Sequence, residues 1–129
     1  MASILRVNTL TDASSNNSMA MSAIAGGTSK SWMNLDGTGT IATRDSFNVA
    51  SITDRGTALY TQNLTSNLVN DDGAVGGSAH GTLLDADGRN RIMVGEPQST
   101  SSVHVNTFTT SGGAEDVDLV SSIVHGDLA

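Results

Sequence analysis

Residues 57–64 read TALYTQNL, and residues 103–108 read VHVNTF. The second segment alternates side chains with the two-residue period of a half-buried β-strand, and the first is interpreted as a strand of the same period. In the first segment this period places Tyr60, Gln62 and Leu64 on one face. Segments of similar pattern, separated by turns rich in Gly, Asp and Ser, recur at roughly 10-residue spacing along the chain. The pattern predicts an all-β fold, a single antiparallel β-sandwich or barrel-like domain of about eight or nine short strands.

The first 28 residues form a distinct part of the sequence. Alternation around Leu5 and Val7 predicts a strand, and residues 19–27 (MAMSAIAGG) predict a packed or docking segment because they are small and apolar. We therefore expect an N-terminal arm and loop over residues 1–28 and a β-sandwich over residues 29–129, together one structural domain. A secretory leader is not expected, since nothing basic closely precedes the apolar segment.

Composition excludes several classes of protein. The 129 residues include no cysteine, so neither a disulfide framework nor thiolate chemistry is possible. The formal net charge is -7, and six scattered Lys and Arg residues are too few to grip a phosphate backbone. No segment approaches the roughly 18 apolar residues of a membrane-spanning helix. We expect neither nucleic acid nor a membrane as a partner.

Residues that perform catalysis or bind metals show no convincing pattern. Residues 85–90 (DADGRN) faintly resemble a calcium loop, but their glycine stands fourth rather than sixth, which is more typical of a hairpin turn. His80, His104 and His125 have no ligand spacing, although a trimer could bring one histidine from each copy to its axis. The chain has no Gly-x-Ser-x-Gly elbow and no phosphate-binding loop. We expect no catalytic residue, cofactor, metal or enzymatic activity. The competing hypothesis among enzymes is a small carbohydrate-processing or metal-dependent enzyme.

Bulky side chains are scarce, since the aromatic residues are only Trp32, Phe47, Tyr60 and Phe108. Folding costs about 1–2 kcal/mol of backbone entropy per residue, and burial returns about 25 cal/mol per Å² of apolar surface. A monomer of this composition is expected near the limit of stability, so burial against other copies or a partner would stabilise it. Full disorder is the competing interpretation of the polar composition. Trp32 and Tyr60 could also form a sugar-stacking patch, but isolated rings more often belong to a core or an interface.

Three segments and the chain end resemble virion proteins of marine tailed phages. Residues 3–17 (SILRVNTLTDASSNN) are similar to the family's LKVDTIxDASGNN start, and residues 31–40 (SWMNLDGTGT) are similar to its AWVNFDGTGT segment. Residues 46–57 (SFNVASITDRGT) match its SFNVSSITDNGTG segment, and the ending VHGDLA at residues 124–129 resembles the chain ends of the same group. The sequence departs from the family at Ala58, where Gly is frequent, and at Arg55, where Asn is usual.

The resemblance implies a bacteriophage virion structural protein without catalysis. We expect a capsid decoration (cement) protein that binds the outside of the assembled shell as a homo-trimer. Its partner would be the major capsid protein, and its location the outer capsid surface of the virion. Because buried aromatic side chains dominate interfaces, self-association is expected through Trp32, Phe47 and Tyr60. The expected capsid contacts are Leu5, Val7, Met19, Met21 and Ile24. The alternative is a tail-fibre or receptor-binding module of the virion, although the chain has neither heptads nor shaft repeats.

Overall fold

A computed structural model describes residues 3–4, 6–14, 17–80 and 91–129. In chain order they form the strands and helix β1 (Thr9–Thr11), β2 (Ser18–Ala20), α1 (Met21–Gly27), β3 (Ser31–Asp36), β4 (Ala42–Phe47), β5 (Val49–Asp54), β6 (Leu59–Leu64), β7 (Ala74–His80), β8 (Arg91–Ser99), β9 (Ser102–Thr109) and β10 (Leu119–His125). Leu5 and the DADGRN segment at 85–90 lie outside the described residues.

Two antiparallel four-stranded sheets, in the orders β4-β3-β10-β7 and β5-β6-β9-β8, enclose one core. Every second side chain of the central strands is buried, as the two-residue period of the sequence requires. The core consists of Met33, Leu35, Tyr60, Leu64, Leu68, Ala79, Val103, Val105, Val117, Val120 and Val124. The predicted all-β sandwich is confirmed. The strands β1 and β2 pair with each other in a separate two-stranded sheet.

A chain of hydrogen bonds crosses the core between the two sheets. The amide Nε2 of Gln62 donates to the Ser31 hydroxyl at 2.6 Å, and the Gln62 Oε1 accepts from the Ser122 hydroxyl at 2.6 Å. The Ser31 hydroxyl in turn donates to the carbonyl oxygen of Phe47 at 3.0 Å. Gln62, Ser31 and Ser122 are all buried. Because both ends of the buried amide have partners, Gln62 does not incur the cost of an unsatisfied polar group.

Asn48 carries the chain from one sheet to the other. Its φ of 57° lies in the left-handed region that Asn tolerates, so β4 ends before it and β5 begins after it in the opposite sheet. Its Nδ2 donates to the carbonyl oxygens of Lys30 at 2.9 Å and Ser66 at 3.1 Å, and its Oδ1 accepts from the Ser66 N–H at 2.7 Å. The alternation over residues 46–52 predicts one continuous strand. That prediction is wrong because the Asn48 side chain stabilises a bend.

Tyr60 lies in the core of a single chain, and its side chain is fully buried. Its hydroxyl donates to Asp116 Oδ1 at 2.8 Å, with the Gly37 carbonyl oxygen 3.2 Å away. Burial and the neighbouring Asp116 carboxylate raise the pKa of Tyr60 well above its ordinary value, because both disfavour the tyrosinate. The expectation that Tyr60 contributes to self-association is therefore wrong: it stabilises the sandwich from within. A sugar-stacking patch that combines Tyr60 with Trp32 is excluded for the same reason.

Ala58 has a φ of 65°, the left-handed conformation that favours glycine. Its N–H donates to Asp116 Oδ1 at 2.6 Å, and its carbonyl oxygen accepts from the Thr107 N–H at 3.0 Å. These two hydrogen bonds hold the backbone in place although the residue carries a Cβ atom. The positive φ is the physical reason why a glycine would be favourable at this position.

Candidate interaction surfaces

In the N-terminal arm, residues 1–28, the strands β1 and β2 form a short hairpin in which none of the described residues is buried. Leu10 of β1 lies opposite Met19 of β2, so both side chains share one face of the hairpin. Leu10 is 47% exposed and Met19 is 54% exposed. The Asn17 Nδ2 donates to the Asp12 carboxylate at 2.7 Å and closes the turn. An isolated two-stranded hairpin is marginally stable in water, so this apolar face is expected to gain stability from a partner.

Helix α1 follows the hairpin directly and has seven residues, none of them buried. Helices of this length are unstable in isolation. The Lys30 ammonium donates to the Ala25 carbonyl oxygen and to the Thr28 hydroxyl, the latter at 3.1 Å. Lys30 is itself buried, and its N–H donates to the Val124 carbonyl oxygen at 2.7 Å. Lys30 therefore fastens the C-terminal end of the arm to β10.

The residues expected to contact a capsid lie in the described part of this arm, apart from Leu5. Val7, Met19 and Met21 are exposed, and Ile24 is half-buried. Among the described residues 3–28, Ile24 is the one that is not exposed. The sequence predicted a packed or docking segment at residues 19–27. In the structure most of this segment is helix α1, on which Met21 is exposed and Ile24 is half-buried.

Three apolar side chains form a row across the outer face of the sheet β4-β3-β10-β7. Phe47 is paired with Trp32, and Trp32 is paired with Ile123, so the three lie side by side on neighbouring strands. Phe47 is 52% exposed, Ile123 is 45% exposed and Trp32 is half-buried. We call this set the apolar row. It retains Trp32 and Phe47 from the expected self-association surface and replaces Tyr60 by Ile123.

A groove of about 270 Å³ lies beside the row and is lined by Trp32, Met33, Asn34, Ser121, Ser122 and Ile123. The Oδ1 atom of Asn34 is buried and accepts no hydrogen bond. A buried acceptor without a partner costs about 1–3 kcal/mol, and because this oxygen is closed to solvent, a molecule in the groove does not reach it unless the Asn34 side chain turns. The groove therefore offers a bound molecule mainly apolar walls.

Sequence reasoning missed Ile123 and Asn34. The signal for Ile123 was present: in β10, LVSSIVH, Val120, Ser122 and Val124 point inward, which leaves Ile123 on the outer face. No sequence signal predicts that the Asn34 carbonyl lacks a donor, since this depends on how neighbouring strands pack.

The opposite end of the same outer face is charged. Arg44 donates to the Asp36 carboxylate at 3.0 Å and to the Asp118 carbonyl oxygen at 2.6 Å. Hydrogen bonds from the Thr38 hydroxyl and the Thr38 N–H, together with Arg44, hold the pKa of Asp36 below its ordinary value. The apolar row is therefore confined to one end of the sheet.

The outer face of the other sheet is mostly polar. Asn63 Nδ2 donates to the hydroxyls of Ser51 at 3.1 Å and Thr53 at 3.0 Å across the strand pair β5-β6. Near the β8 edge, Ile92 is 46% exposed and Val94 is 49% exposed. These two residues match the exposure of the apolar row and provide control positions on a different surface.

The described residues contain no cluster of three or more His, Asp or Glu side chains that could hold a metal ion. His80 is exposed, and His104 and His125 are half-buried on separate strands. No helix within the described ranges is long and apolar enough to cross a membrane. No protein-family model, curated protein or solved structure matches the chain.

Proposed function

We propose that this chain is a bacteriophage virion structural protein that decorates the outer surface of the assembled capsid as a homo-trimer. The observation that carries the proposal is the N-terminal arm, which presents Val7, Leu10, Met19 and Met21 to solvent while the sandwich keeps its own core. Such an arm suits a protein that acts by attaching to another molecule. The sequence resemblance supplies the class of partner, the major capsid protein.

Decoration would work by mass action. A protein that binds the assembled shell but not loose subunits stabilises the shell by its binding free energy. Each contact is small, and the stabilisation grows with the number of bound copies. This function requires no catalysis. The negatively charged sandwich would also make decorated particles repel each other, although dissolved salt screens this repulsion beyond a few ångströms.

Co-sedimentation of the purified protein with assembled shells and with unassembled capsid subunits tests the proposal. We expect binding to shells and none to loose subunits. The double variant Val7→Ser/Met19→Ser should bind shells at least about tenfold more weakly, because it removes two apolar contacts. The double variant Ile92→Ser/Val94→Ser, which changes equally exposed residues on another surface, should bind like the wild type.

Equal binding to shells and loose subunits, or no binding to either, would contradict the proposal. Binding to cell-surface glycans by a protein that ignores shells would instead support the tail-fibre or receptor-binding alternative.

A further inference from the structure

The described part of the chain leaves the apolar row partly uncovered. Lys30 holds α1 at its C-terminal end, yet Phe47 and Ile123 stay about half exposed. A fully exposed aromatic side chain presents roughly 150–250 Å², so the partly exposed row offers about 300 Å² at most. A stable interface takes about 800 Å² from each partner. The row can therefore be only one part of a larger contact surface.

The N-terminal arm offers further exposed apolar side chains and directly precedes the row in the sequence. Helix α1 ends at Gly27, and Trp32 is the second residue of the next strand. A molecule seated on the row therefore lies close to α1 of the same chain. A second copy has the same arrangement of α1 and row. When two copies meet at their rows, α1 of each copy therefore lies near the row of the other.

The distribution of charge favours the arm of a second copy over its sheet face. Arg6 and Asp12 are the charged residues among residues 1–28, so they cancel and the whole formal charge of -7 lies on residues 29–129. Two acidic sandwiches placed face to face would repel each other. The neutral arm can approach the acidic sandwich without that repulsion.

The chemistry of α1 also fits the groove. Ile24 and Met21 lie three residues apart and share one side of the helix, which suits apolar walls. The side chains of Trp32, Met33 and Ile123 supply those walls.

From these observations we infer that the chain associates by arm exchange: α1 of one copy docks in the groove beside the Phe47–Trp32–Ile123 row of a second copy. The inference deepens the proposed function, since it rests on the self-association of the decoration protein and names its two surfaces. Its test needs no capsid, so failure of shell binding and failure of arm exchange are distinguishable.

The mass of the full-length chain in solution, measured by sedimentation velocity at micromolar concentration, is the first test. The wild type is expected to form an oligomer of 13.2 kDa chains. Ile123→Ser and Ile24→Ser should each raise the dissociation constant roughly tenfold or more. Ile92→Ser is the matched control, because Ile92 and Ile123 are exposed to 46% and 45% on opposite sheets. It should leave the oligomer intact.

The absence of cysteine permits a direct test of which copy supplies the helix. Ile24→Cys and Ile123→Cys variants, carrying tags of different size, are mixed and oxidised. Arm exchange predicts a disulfide between the two differently tagged chains, whereas Ile24→Cys mixed with Ile92→Cys should give none.

Three results would overturn the inference. The first is a wild-type monomer at micromolar concentration. The second is equal weakening by Ile123→Ser and Ile92→Ser. The third is a disulfide that forms within the double variant Ile24→Cys/Ile123→Cys but never between mixed single variants, since each arm would then cover its own row.

Discussion

At the scale of single residues, the sandwich is stabilised by a few polar side chains buried among valines and leucines. Gln62 of β6 joins its sheet to the opposite one through the hydroxyls of Ser31 and Ser122, which both lie on that opposite sheet. Tyr60 joins β6 to the loops that hold Gly37 and Asp116. The sequence period places Tyr60 and Gln62 on one face but does not identify their partners. Buried groups of this kind are stabilising only while every partner is present.

The chain has a single tyrosine, so alkaline titration reports on Tyr60 alone. Its pKa in the folded chain is raised above the ordinary value of 10.0. The stabilisation is therefore complete below pH 10 and is lost as the pH rises toward the folded-state pKa, because the unfolded chain ionises first. We predict that tyrosinate absorbance and loss of the β-sheet circular dichroism signal appear together, above pH 10. Tyrosinate that forms near pH 10 in an intact sheet would contradict the buried hydrogen bond to Asp116.

Replacement of Gln62 tests the hydrogen-bond chain. Gln62→Leu keeps a similar volume but leaves the buried Ser122 hydroxyl without its acceptor, so the free energy of unfolding should fall by about 1–3 kcal/mol. Adding Ser122→Ala should restore part of this loss, because no unpaired group then remains. Urea unfolding of both variants and of Ser122→Ala alone gives the coupling free energy between Gln62 and Ser122. Strictly additive losses would show that the two side chains do not act as a pair.

At the scale of elements, close approach of backbone segments fixes how loops cover the core. A Cβ atom added to Gly37 would lie 2.8 Å from the Tyr60 Cζ and 2.9 Å from the Val117 carbonyl oxygen. Gly37→Ala should therefore lower the free energy of unfolding by about 1–3 kcal/mol. Gly76→Ala is the control, since a Cβ atom there meets nothing within 4 Å, and its effect should stay within about 0.5 kcal/mol. Equal thermal stability of the two variants would show that the Gly37 loop can move away from Tyr60.

The sequence predicts strands better than it predicts the elements between them. The alternation in β3, β6 and β9 identifies their buried faces because each strand packs one face on the core. It cannot locate the bend at Asn48, where a side chain bonded to Lys30 and Ser66 overrides the local pattern. It also misses α1, because a helix that buries no residue needs no apolar stripe facing a core.

At the scale of the whole molecule, the described residues divide their apolar side chains between a closed core and exposed ones, which include the N-terminal arm, the apolar row and the Ile92/Val94 pair. The expectation that other molecules must add buried area follows from scarce bulky side chains. The structure identifies the side chains available for it. Trp32 and Phe47 were predictable from composition, whereas Ile123 and Asn34 required the sheet order. In a protein that coats a shell, α1 and the apolar row would serve the contact between copies, and the hairpin with Val7 would serve attachment to the shell.

The number of copies in each purified phage particle tests the proposed function most directly. Quantitative peptide mass spectrometry gives this number relative to the major capsid protein. A decoration protein that occupies the shell lattice should be present in hundreds of copies per particle, in a fixed ratio to the capsid subunits. A handful of copies, or none, would contradict the account.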